Sequence, residues 1–182
     1  VLTSGDMSTG GAEVNNFGHL NVTGRVGGSV TLNADGNLVS SGLLGSNLTL
    51  NGSSVATIQT LGNVTGAALI NGSGRLTVDS GGKLSSTLTI SELSGTATIA
   101  GNVSAATISN GTLGVSGNLL STLTLNSGTT TLSNTSVVSS NVTVNNGTLE
   151  ANGLLSGSRL QVNNNGTANV LTSGNLAGNA EV

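Results

Sequence analysis

A four-residue signature, aliphatic-x-aliphatic followed by Asn or Ser, returns along this 182-residue chain at a nearly fixed interval. It reads AEVN at 12, VTLN at 30, LTLN at 48, ALIN at 68 and LTIS at 88. It continues as ATIS at 106, LTLN at 123, VTVN at 142, LQVN at 160 and AEV at 180. Successive copies stand 17 to 20 residues apart, with a mean of about 18.7. A period of this length marks a stacked repeat architecture. A helical repeat is excluded, because β-branched residues, Gly and Asn dominate and no 3.6-residue periodicity is present.

Aligned on this signature, each position becomes a column with one physical role. The first position, from Ala12, Val30 and Leu48 to Leu160 and Ala180, is aliphatic, and so is the third, from Val14, Leu32 and Leu50 to Val162 and Val182. Residues two apart on a strand share a face, so both columns point inward. The residue between them points outward, giving a threonine ladder of Thr31, Thr49, Thr89, Thr107, Thr124 and Thr143, interrupted by Leu69 and by Gln161. The fourth position gives an asparagine ladder of Asn15, Asn33, Asn51, Asn71, Asn126, Asn145 and Asn163, with Ser91 and Ser109 in between. Stacked side-chain amides can hydrogen-bond from one coil to the next, so this ladder reads as structural.

Two further short strands fit within most coils. The second carries inward pairs such as Leu20/Val22, Leu76/Val78, Ala97/Ile99, Leu113/Val115, Leu149/Ala151 and Ala168/Val170. The third is centred on Val26, Leu44, Val64, Leu84, Val103, Leu120, Val138, Leu155 and Leu176. Gly and Asn fill the corners, where left-handed backbone is often needed. The expected fold is therefore all-β: a single-stranded parallel β-helix (β-solenoid) of about nine triangular coils, each of about 19 residues. With coils about 4.8 Å apart, the rod would be about 43 Å long. Pro is absent, as a stack of central strands requires, since every strand must donate N–H groups to a neighbour.

VLTSG occurs at 1–5 and again at 170–174, so both ends share one phase of the repeat. No linker or compositional break divides residues 1–182, which are read as a single β-solenoid domain. The matched ends predict a window of a longer repeat array, or a fibre subunit that stacks end to end.

Composition narrows the function. Charged residues are 6% and aromatics 1% of the chain, and the net charge is −3. Its four cations, Arg25, Arg75, Lys83 and Arg159, are scattered, so no nucleic-acid partner is expected. No apolar run reaches the length of a membrane span, so no membrane insertion by this segment is expected either. With no Cys, thiolate chemistry and disulfides are excluded. The acids Asp6, Glu13, Asp35, Asp79, Glu92, Glu150 and Glu181 do not share a column in adjacent coils, unlike the clustered carboxylates of polysaccharide-cleaving β-helices. His19 has no partner at a metal or triad spacing. Gly81-Gly82 reads as a corner rather than a phosphate loop. Sequons such as Asn47-Leu48-Thr49 and Asn141-Val142-Thr143 follow from the composition. No catalytic residue, cofactor site or metal site is assigned, and the chain is not expected to be an enzyme. The outward threonine ladder leaves one alternative open, an ice- or glycan-binding module.

VTVNNGTLEANGLLSG (142–157), NGTLGVSGNLLSTLTLNSGTTTL (110–132) and LTVDSGGKLSS (76–86) resemble the passenger domains of bacterial autotransporters and filamentous-haemagglutinin-type adhesins. The resemblance implies export to the bacterial cell surface and folding there into a rigid stalk or fibre. The implied role is in adhesion, aggregation or matrix, with glycans or other cells as partners.

Overall fold

The computed structural model describes residues 2–3, 5–157 and 159–182. Val1 and Ser4 of the first VLTSG copy, and Ser158, lie outside the described residues. Among these residues the secondary structure is entirely β, and every strand pairing is parallel. The chain winds as a β-solenoid of about nine turns with a spacing of about 19 residues.

Each coil contributes three short strands, which stack into three faces. The first face holds the signature strands, from Ala12–Val14 and Val30–Leu32 to Arg159–Val162 and Asn179–Glu181. Its pairings run Ala12↔Val30, Val30↔Leu48, Leu48↔Ala68, Ala68↔Leu88 and Leu88↔Ala106. They continue as Ala106↔Leu123, Leu123↔Val142, Val142↔Leu160 and Leu160↔Ala180. This is the register read from the sequence, position for position. Only Val182 falls outside it, lying beyond the last strand and fully exposed.

The second face is a separate sheet of ten strands among the described residues, from Leu2–Thr3 and His19–Val22 to Thr148–Ala151 and Thr167–Val170. The third face carries two-residue strands such as Arg25–Val26, Leu43–Leu44 and Asn63–Val64. In two coils the corner between the third and first faces is lost, and one strand runs through both: Lys83–Ile90 and Asn102–Ile108. Lys83–Ile90 has Ser85, Ser86 and Thr87 where other coils carry Gly-rich corners, and a register shift between Leu84 and Thr87 absorbs the extra residue.

The core is a single column of aliphatic side chains in which the three faces meet. Leu32, Leu50, Ile70, Ile90, Ile108 and Leu125 are fully buried, as are Leu38, Ile58, Leu76, Ile99 and Leu113 from the second face. Each such side chain contributes about 2 kcal/mol by leaving water. The last coil covers its predecessor and is itself uncovered, which leaves its inward Val170 39% exposed.

Glycines set the register at two of the three corners. An inward side chain of the third face stands two residues after a corner glycine: Gly24 before Val26, Gly42 before Leu44, Gly101 before Val103 and Gly153 before Leu155. The same offset corrects one sequence expectation. Leu119, two residues after Gly117, is the inward residue and fully buried, while Leu120 is 54% exposed. The second face obeys the same rule, with Gly36 before Leu38, Gly74 before Leu76 and Gly111 before Leu113.

The physical reason for these glycines also differs from the expected one. Left-handed backbone accounts for only a few, Gly111 at φ +93 among them. At most corners the requirement is close approach between coils, where a carbonyl of one coil accepts from the strand start of the next. Leu43 N–H donates to Gly24 O, Asn118 N–H to Gly101 O and Asn37 N–H to Gly18 O, at 2.8 to 3.0 Å.

Candidate functional surfaces

The asparagine ladder sits at the corner where the first face ends, and its amides bond head to tail along the rod. Asn33 Nδ2 donates to Asn15 Oδ1 at 2.8 Å and to Glu13 Oε1 at 2.9 Å. Asn51 donates to Asn33 at 2.8 Å, and Asn71 to Asn51 at 3.3 Å. After Ser91 and Ser109 the chain resumes, with Asn145 donating to Asn126 at 2.8 Å and Asn163 to Asn145 at 2.9 Å. In each link the later coil donates and the earlier coil accepts, so the amide dipoles align and reinforce one another. An interior member such as Asn51 or Asn145 uses one N–H donor and its carbonyl oxygen in the ladder.

The threonine ladder occupies the outer surface of the first face. Thr31 stands opposite Thr49, and Thr89, Thr107, Thr124 and Thr143 stand opposite one another in succession. Leu69 separates the two runs, and Gln161 follows Thr143. All six threonines are half-buried. The column is one residue wide in the three-residue strands Val30–Leu32, Leu123–Leu125 and Val142–Val144.

A second threonine array, on the second face, escaped the sequence reading. Thr96, Thr112, Thr129, Thr148 and Thr167 form one outward column, each paired to the next. Thr57, Thr77, Thr98 and Thr131 lie in the outward column two residues on, with Gly114 between Thr98 and Thr131. A signal for it existed: Gly-Thr recurs at 95, 111, 128, 147 and 166, and the residue after a corner glycine points outward.

The charged side chains are dispersed. Asp35 accepts from Ser53 Oγ, Arg159 pairs with Glu181 near the last coil, and Asp6 lies in register with Arg25. Among the described residues, no three of His, Cys, Asp or Glu come together in a way that could hold a metal ion. His19 lies in register with Asn37 at the edge of the second face. Gly81 and Gly82 form a corner, with Gly81 at φ +88. The chain matches no family model, and its comparisons with curated proteins and with solved structures give no significant match.

Proposed function

We propose that this chain is a rigid structural segment, part of an extracellular stalk or fibre of a bacterial surface adhesin or matrix filament. One observation carries the reading: the coil-to-coil register persists from Ala12 to Ala180 with no break in the signature column. A continuous hydrogen-bonded stack with an aliphatic centre resists bending, which suits a spacer. The uniform direction of the asparagine bonds adds a second lengthwise tie.

Lengthwise continuation of the stack, in the same chain or in another copy, belongs to the same proposal, because a parallel coil pairs with a neighbour on each side. Electron microscopy of native material, labelled with antibody to this chain, tests the proposal. Labelled stalks or filaments at the cell surface are the expected result; label on compact particles or inside cells would overturn it.

A further inference from the structure

The ten-stranded second face carries an outer surface that a spacer does not require. Its strands pair without a register shift from Asn37–Ser40 through Thr148–Ala151. Side chains on it therefore fall on a grid of about 4.8 Å between coils and about 6.6 Å along each strand. Between Arg75 and Glu150 the grid points are Thr77, Thr96, Thr98, Thr112, Gly114, Thr129, Thr131 and Thr148, with no charge among them. Thr98, Thr112 and Thr131 are exposed, and Thr96, Thr129 and Thr148 are half-buried like the threonines of the first face.

The chemistry of the patch selects its partner. An uncharged grid offers nothing to a phosphate, a nucleic acid or an ion. Phe17 belongs to a corner between the first and second faces, and the His19 imidazole lies on the second face three coils before Arg75, so the patch between Arg75 and Glu150 lacks the flat ring on which sugars stack. Each threonine instead presents a methyl group and a hydroxyl. β-Branching restricts its χ1, so these groups are ordered before any encounter, and little entropy is lost on contact. Beneath them Leu113, Leu132 and Ile99 are fully buried and hold the strands in place. An ordered, uncharged, hydroxyl-rich grid fits an ordered, uncharged water lattice on the same length scale.

We propose that the outer surface of the second face adsorbs to ice through Thr96, Thr98, Thr112, Thr129, Thr131 and Thr148. Gly114 is the single gap in this grid. A Cβ there would meet only Ala97 O, at 4.0 Å, so neither backbone nor packing demands glycine at this position. The inference goes beyond the stalk reading and does not depend on it, since a spacer and an isolated module could both bear such a face.

Thermal hysteresis and ice-crystal shaping by the purified chain test it, with far-ultraviolet circular dichroism as the check on folding. The wild-type chain should lower the freezing point below the melting point and facet the crystals. Gly114→Thr should increase the gap, and Thr129→Lys should abolish it. Thr107→Lys, on the first face, should leave it unchanged. Absence of hysteresis in both wild type and Gly114→Thr overturns the proposal. So does full activity in Thr129→Lys, or equal loss in Thr107→Lys. Retention on neutral polysaccharide without hysteresis would likewise overturn it in favour of a glycan surface.

Discussion

A Cβ built on Gly117 would stand 2.0 Å from the carbonyl oxygen of Gly101, its counterpart one coil earlier. That oxygen already accepts the N–H of Asn118 at 3.0 Å, so it cannot move aside without breaking a bond between coils. Gly117→Ala should therefore destabilise the fold by about 3 kcal/mol, the upper part of the range for overpacking. Gly114→Ala is the matched control three residues away. It meets open space and should stabilise by about 0.5 kcal/mol through the unfolded chain. Denaturant titration of the two variants against wild type measures the contrast.

Leu61 is 82% exposed and held at φ +75. The same corner one coil later places Gly81 at φ +88. A left-handed conformation costs a side chain such as leucine about 1–2 kcal/mol. Leu61→Gly should raise stability by about 1 kcal/mol after the added freedom of the unfolded chain is subtracted. An unchanged or lower melting temperature would contradict this account of the corner.

Thr130 stands in the inward column between Leu113 and Leu149, and its Oγ1 is buried without a hydrogen-bond partner. Ser54 Oγ is in the same condition at a corner where neighbouring coils carry Gly36 and Gly74. Thr130→Val and Ser54→Ala should each stabilise the fold by about 1–2 kcal/mol, because each removes an unsatisfied buried hydroxyl. Thermal unfolding of the single and double variants would show the gain, and additivity is expected for sites this far apart.

Asn51 donates to Asn33 and accepts from Asn71. Asn51→Ala breaks both links and should cost about 1–2 kcal/mol. Asn51→Asp keeps the acceptor but, when ionised, has no donor for Asn33 Oδ1. Its neutral form restores that donor, so the fold favours protonation and raises the carboxyl pKa above its unfolded value of about 4. The variant should be least stable at neutral pH and regain stability as the solution is acidified through that region, relative to wild type at each pH.

The first face was legible because its columns are pure: Leu32, Leu50, Ile70 and Ile90 admit no other alternation. The second face was harder to read, since Ser40 and Thr130 occupy inward positions and hide two strands from an apolar pattern. Leu119 and Leu120 are chemically equivalent in sequence, and only the offset from Gly117 decides which one enters the core. The threonine grid escaped notice for a related reason. Its columns emerge only once the second-face strands are set in register by their corner glycines, whereas the ladder from Thr31 to Thr143 is carried by the signature itself.

The claim on which everything else rests is the coil-to-coil register, and the absence of cysteine makes it directly testable. Thr107 and Thr124 are partners in adjacent coils of the first face. Their Cα atoms should be about 4.8 Å apart, inside the window of about 4.4–6.8 Å for a disulfide. Thr107 and Asn126 are displaced by two further residues along the strand, which puts them about 8 Å apart and out of reach. Under mild oxidation the doubly substituted chain Thr107→Cys with Thr124→Cys should close an intramolecular disulfide rapidly, and Thr107→Cys with Asn126→Cys should stay reduced. The opposite pattern, or equal closure of both pairs, would contradict the stacked register.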